Sequence, residues 1–238
     1  MSGHSKWATI KHKKAKEDSK RGKVFTKLIK EITIVARDGG GDPAANPRLR
    51  DLIDKAKQAN MPQDNITRAI KKGTGELPGV SYEPITFEGY GPYGIAVIVE
   101  TLTDNKNRTI AGMRHKFSSK GGNLGENGSV LWMFNQMGVI RAISENFNED
   151  SLLEMLIDYD ISDIEKEDEV FVITTENKAL GAVSQKLKSE NITVESAELE
   201  WVAKTPMDLD EKQTEKALEF LQAMEEHDDV QNVYTNLG

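Results

Sequence analysis

Residues 11 to 23, KHKKAKEDSKRGK, carry eight basic side chains, His12 among them, against two acids. Ammonium and guanidinium groups at that density neutralise phosphates and release the counter-ions condensed on a polyanion, which gives affinity that is salt-dependent and tolerant of sequence. Trp7, set among Lys6, Lys11, Lys13 and Lys14, adds a ring on which an unpaired base could stack, a contact worth about 1–3 kcal/mol. The same ring could instead dock the segment onto the helices that follow. Arg21 precedes a helical pattern on which Lys20, Lys23, Lys27 and Lys30 form a basic stripe. A second basic group, Arg108, Arg114, Lys116 and Lys120, falls on a later helix and either extends that surface or simply solvates it.

Other chemistries find little to work with. The chain has no cysteine, which excludes disulfides, thiolate nucleophiles and thiolate metal sites and fits a reducing compartment. His4, His12, His115 and His227 make neither HxxxH nor HExxH spacing. Glu165, Glu167, Asp168 and Glu169 cluster around a turn as solvated faces rather than as a positioned acid/base pair. No GxSxG or GxxxxGK[ST] motif occurs. Gly89 to Gly94, GYGPYG, matches GxGxxG, but a dinucleotide site must open a helix. Here Pro92 interrupts the motif and the strand-like IAVIVE follows, so the stretch reads as a hairpin turn. The expectation is a non-enzyme without metal, cofactor or small-molecule substrate.

Charge is segregated along the 238 residues, whose formal net charge is -8. Residues 1–79 hold 18 Lys+Arg and 9 Asp+Glu, a net of +9, while residues 80–238 hold 13 and 30, a net of -17. A basic block on an acidic body suits a molecule that meets a polyanion through one segment only. It also leaves the acidic part as a candidate surface for a protein partner. No apolar run approaches the roughly 18 residues of a membrane span, and no signal-type apolar segment opens the chain, so a cytoplasmic protein without membrane contact is expected.

The elements that must position these residues follow from apolar periodicity. Residues 1–21 lack it and read as a basic arm that cannot bury enough surface to fold alone. Val24, Phe25, Leu28, Ile29, Ile32, Val35 and Ala36 make one helical face, stopped at Gly39. Asn46 and Pro47 cap a second helix, Pro62 starts a third, and together they predict a three-helix bundle over 22–79. Strands are predicted at Pro84–Glu88 and Gly94–Leu102, then a helix capped by Asp104, then a strand-like run at Ser129–Phe134. Residues 137–203 carry the order βαββαβ, the ferredoxin-like pattern, with a helix at Glu149–Asp158. A last helix, Asp210–Glu226, and strand, Val230–Thr235, are too short to fold alone. They are assigned to the preceding sheet, giving a discontinuous middle domain of 80–136 and 204–238. The expected fold is α+β with three domains: the bundle, then two mixed α/β domains, one of them ferredoxin-like and inserted in the other.

GHSKWATIKHKKAKEDSKRGKVFTKLIKEI, GGGDPAANPRLRDLIDKAKQANMPQDNITRAIKKGTGE and YEPITFEGYGPYGIAVIVETLTDNKNRTIAGMRHKFSSKGGNLGENGSVLWMFNQMGVI closely resemble the YebC family over roughly the first 140 residues. Thr9 stands where that family usually has Asn, Lys13 where it has Arg, and Tyr93 where glycine is common. The resemblance implies a non-enzymatic three-domain protein. Bacterial members are described as DNA-binding transcriptional regulators, and some are linked to the ribosome; mitochondrial relatives are translational activators of cytochrome c oxidase. It therefore implies a nucleic-acid partner, DNA or ribosomal RNA, contacted through Lys6, Lys11, Lys13, Lys14, Lys20, Arg21, Lys23 and Lys27, plus Arg108 and Arg114. The reading is a DNA-binding transcriptional regulator, with a ribosome-associated translation factor as the alternative.

Overall fold

The computed structural model describes Trp7 and residues 21–238. The first apolar period closes as helix α1, Arg21–Gly39, burying Ile32, Val35 and Ala36 with Phe25, Leu28 and Ile29 packed beside them. Val24, expected on that face, lies at its margin and is 42% exposed. Asn46 caps α2, Pro47–Gln58, by accepting from the Leu49 amide at 3.1 Å. Its own amide group donates to the carbonyls of Val35 and Gly40, so one side chain starts α2 and satisfies carbonyls at the end of α1. Pro62 precedes α3, Gln63–Gly73, as its N-cap rather than as its first residue. Leu49, Leu52, Ile53 and Ala56 of α2 and Ile66 and Ala69 of α3 complete the bundle core. At Gly73 the α3 backbone passes so close to α1 that a Cβ would overlap the Thr33 carbonyl oxygen and stand 2.9 Å from the Ala36 Cβ.

Strands β1, Glu83–Tyr90, and β2, Ala96–Thr103, pair antiparallel through the 3-10 turn Pro92–Gly94, as the hairpin reading expects. Helix α4, Lys106–Ser119, follows, and the short β3, Asn123–Leu124, lies on the far side of β1. Asn105 caps α4 by accepting from the Arg108 amide, whereas Asp104, expected in that role, binds the Arg108 guanidinium. The buried Glu88 carboxylate accepts the amides of Gly128 and Val130 at 2.7 and 2.9 Å, fixing the glycine-rich loop after β3. The last helix, α7 (Glu211–Glu225), and the last strand, β8 (Val230–Thr235), join this domain and give the sheet order β3-β1-β2-β8. Phe117 of α4 meets Phe220 of α7 edge to face at 5.2 Å, so both helices share one core.

Residues 131–209, with 234–238, form a separate unit. Residues 131–133, expected to be strand, are a 3-10 turn that leaves Trp132 65% exposed, and the strand β4 begins only at Phe134 and runs to Ile143. Then come α5 (Glu149–Met155), β5 (Ile161–Glu167), β6 (Val170–Thr175), α6 (Leu180–Ser189) and β7 (Thr193–Ala203). The sheet order is β5-β6-β4-β7 with every neighbouring pair antiparallel, which is the ferredoxin-like topology. Helix α5 stops three residues short of the expected Asp158 because the chain turns at Leu156, whose carbonyl accepts the Tyr159 amide. Ile140, Phe171 and Ile173 from the strands pack against Leu152 of α5 and Val183 and Leu187 of α6. Since β8 returns to the first sheet after β7, the ferredoxin-like domain is an insertion in the sheet domain. The fold is α+β with the helical bundle and two mixed domains, as expected.

Candidate nucleic-acid interface

Helix α7 runs into the acidic segment Glu225, Glu226, Asp228, Asp229 and has no basic residue in its last turn. Carboxylates there add to the partial negative charge of the last carbonyls, so the end of this helix needs cations from elsewhere. They come from the stripe expected to meet phosphates. Lys23 donates to the Glu226 carbonyl at 3.1 Å and Lys27 to the Gln231 carbonyl at 3.0 Å. Lys30, one helical turn further, places all three ammonium hydrogens: on the Leu102 carbonyl at 3.1 Å, the Asp228 carbonyl at 3.0 Å and Asp229 Oδ1 at 2.8 Å. From α4, Lys116 reaches the Ala223 carbonyl at 2.8 Å.

Asp229 is the centre of this arrangement and is 3% exposed. Its Oδ2 accepts from the Thr109 hydroxyl at 2.8 Å and from Arg108 at 3.1 Å. Burial alone would raise its pKa, but the hydrogen bonds from Lys30, Thr109 and Arg108 and the Lys30 charge more than offset that and hold the carboxyl at about 2. Arg108 also binds Asp104, one turn back, at 2.7 Å, and these two partners hold its guanidinium above its ordinary pKa. His227 Nδ1 accepts the Asp229 amide at 3.1 Å, so a neutral ring carries its proton on Nε2. Burial is the main cause of the lowered pKa of His227; the Asp229 charge opposes it and Lys116 reinforces it.

The structure thus divides the expected interface. Lys30 is buried in an ion pair, Lys27 and Lys116 are half-buried on backbone carbonyls, and Lys23 stays exposed while donating to one. All four have their ammonium groups drawn onto the chain itself, and Lys30 is closed to any phosphate. Arg108 keeps a half-exposed side chain shared between two carboxylates. Trp7 is 3% exposed, so its ring has no face open to a base. Arg114 is exposed and makes no ion pair among the described residues. Lys6, Lys11, Lys13, Lys14 and Lys20 lie outside the described residues, as does the Arg21 side chain.

Sequence spacing passed over a different group of cations. Arg68, Lys71 and Lys72 stand exposed on the outer face of α3, and none has a side-chain hydrogen bond or ion pair among the described residues. The signal that could have found them is the absence of any acid three or four residues before either lysine. Among the described residues no group of His, Asp and Glu is arranged to hold a metal ion.

Comparison with known proteins places the chain in a family. Residues 5–76 match the model described as "TACO1/YebC protein N-terminal domain" and residues 82–237 the model "TACO1/YebC second and third domain". A Chlorobaculum parvum protein named "Probable transcriptional regulatory protein" is 53% identical over 238 residues, covering 100% of this chain and 95% of its own. A Geobacter sulfurreducens relative, "Probable transcriptional regulatory protein GSU1074", is 51% identical over 236 residues, covering 99% and 95%. The crystal structure of the conserved hypothetical protein Aq1575 from Aquifex aeolicus superposes with a TM-score of 0.84 at 43% identity, over 93% of this chain and 91% of that one. With its bundle matched by one model and its two mixed domains by the other, the chain belongs to the TACO1/YebC family.

Proposed function

We propose that this chain is a non-enzymatic regulator of gene expression that works by binding nucleic acid, and specifically a DNA-binding regulator of transcription. The observation that carries the reading is charge segregation: a net of +9 on residues 1–79 against -17 on the rest. A long polyanion is drawn to the first segment and repelled by the second. The names of the Chlorobaculum and Geobacter relatives, both transcriptional regulatory proteins, support the regulatory role. With Lys27, Lys30 and Lys116 engaged internally, the phosphate contacts fall to Lys6, Lys11, Lys13, Lys14, Lys20 and Arg21, with Arg114 as an outlying contact. Such contacts fix the protein on the backbone without reading bases, so the affinity is sequence-tolerant and falls steeply with salt.

Ribosomal RNA offers the same phosphates and is the competing target. The test is a salt series of duplex-DNA binding beside co-sedimentation with ribosomes, for the wild type and for Lys11→Glu/Lys13→Glu/Lys14→Glu. Promoter-fragment preference with no ribosome association supports the transcriptional role. Salt-sensitive co-sedimentation with weak DNA binding replaces it with a translational one. Unchanged affinity and salt slope in the triple variant removes the arm from the interface.

A further inference from the structure

Every side-chain ion pair among the described residues consumes a cation, and the chain has acids in excess, 39 against 31 Lys+Arg. Lys57 lies by Asp54, Arg37 by Asp38, Lys106 by Glu83, Lys186 by Glu190 and Arg141 by Glu200. Against that background Arg68, Lys71 and Lys72 are left uncompensated on one face of α3 at spacings of three and four residues. Like charges so placed cost an isolated helix about 0.2–0.5 kcal/mol per pair. Asp64, one turn before Arg68, closes no ion pair with it among the described residues. Glu76, just past the end of α3, accepts the Thr74 hydroxyl at 2.9 Å instead of a cation.

A role in finishing the helix does not account for the lysines. The last carbonyls of α3 are satisfied by the chain that follows: Ile70 accepts from the Thr74 amide at 2.9 Å, Lys71 from Leu77 at 3.1 Å and Lys72 from Gly75 at 3.4 Å. The opposite face is locked, with Ile66 and Ala69 buried and Gly73 against the α1 backbone. Three cations therefore stand on a rigid support. From Arg68 to Lys72 the helix rises about 6 Å, while a DNA strand presents one phosphate per roughly 3.4 Å of axis. The face spans about two phosphate steps.

We infer that the outer face of α3, formed by Arg68, Lys71 and Lys72, is a docking site for the phosphate backbone of nucleic acid, separate from the N-terminal basic segment. This rests on the nucleic-acid reading above and adds a second, preformed contact to it. The phosphodiester is shared by DNA and RNA, so the site reads neither base sequence nor sugar.

The test measures binding of the full chain to a mixed-sequence DNA duplex and to an RNA duplex of matched length across a salt series. Wild type is compared with Arg68→Glu/Lys71→Glu/Lys72→Glu, with the corresponding triple alanine variant, and with the Lys11/Lys13/Lys14 reversal. Thermal melting of each variant checks folding, which surface changes of this kind should leave near wild type. The log–log salt slope of the α3 variants is expected to drop by about two to three units, at roughly 0.9 for each phosphate no longer neutralised. Weaker binding to both duplexes marks backbone recognition; weakening confined to one overturns a site that reads phosphate alone. Wild-type slope and affinity in both α3 variants, with binding weakened in the Lys11/Lys13/Lys14 reversal, overturns this inference alone. A wild type that binds neither duplex overturns the parent reading with it.

Discussion

Lys30 Nζ lies 2.8 Å from Asp229 Oδ1, with side chains 8% and 5% exposed, across 199 residues of sequence. The pair ties the first helix of the bundle to the turn that precedes the last strand of the first sheet. Removing Asp229 leaves the Lys30 ammonium buried with backbone carbonyls alone, at a cost of about 3–5 kcal/mol, whereas removing Lys30 leaves Asp229 with Arg108 and Thr109 and costs less. Asp229→Leu is therefore expected to lower the urea midpoint sharply, and Lys30→Met to lower it by less. The double variant should lose much less than the sum, because neither charge is then left alone. Additive losses in the double-mutant cycle would rule out direct coupling.

Acid should weaken the same region in two stages. His227 has a pKa lowered from 6.5, so on acidification the unfolded chain takes up that proton first, and stability starts to fall as the pH drops below 6.5. Protonation at Nδ1 also breaks the bond from the Asp229 amide. Asp229 has a folded-state pKa of about 2 against an ordinary 3.8. Its contribution is fully present above the ordinary value and is lost as the pH falls through the folded one. The size is on the order of 2 kcal/mol at about 1.4 kcal/mol per pH unit. Urea midpoints measured from neutral to strongly acid pH should show both declines, with His227→Gln removing the upper and Asp229→Asn the lower. A profile identical in all three proteins would contradict the assignment.

Gly73 sets how closely α3 approaches α1. Gly73→Ala puts a methyl group against the Thr33 carbonyl and the Ala36 side chain, both of which belong to packed backbone turns. Overpacking of this kind costs about 1–3 kcal/mol. Chemical denaturation should register that loss in spite of the better helix propensity of alanine. A variant as stable as wild type would mean that the two helices slide apart freely.

Tyr93 adopts φ 62° and ψ 12° in the turn between β1 and β2, followed by Gly94 at φ 83°. Left-handed backbone of this kind costs a side-chain-bearing residue about 1–2 kcal/mol, which glycine avoids. The Tyr93 side chain is 43% exposed and so returns little of that by burial. Tyr93→Gly, the residue common at this place in the resembled family, is expected to raise the melting temperature by a few degrees, at roughly 2–8 °C per kcal/mol. A fall on substitution would show that the ring holds the turn by contacts that outweigh the strain.

Much of the fold could be read residue by residue because its causes are local. Asn46 before Pro47 announces a helix start whether or not α1 is present, and the bond to the Leu49 amide is what that position usually makes. The run from Val230 to Thr235 reads as a strand, and β8 has those bounds. The turn at Leu131–Met133 and the cap at Asn105 went unread where several neighbouring residues could serve locally: Asp104 and Asn105 are both good caps, and an apolar run does not say which side chain will point outward. Of the candidate interface, the density of charge in residues 11 to 23 was legible, and the commitments of Lys23, Lys27, Lys30 and Lys116 were not.

The sequence alone determined most of the elements, the segregation of basic from acidic residues and the βαββαβ order that makes the inserted domain ferredoxin-like. Each depends on spacing over a few residues or on composition, which folding does not change. Tertiary structure decided which cations remain available. A lysine stripe on α1 looks the same whether it faces solvent or the carbonyl ends of a helix some 200 residues later. Only packing α1 beside the acidic end of α7 shows that the stripe closes the protein's own chain, while the outer face of α3, with no acid paired to it among the described residues, keeps its charge for something else.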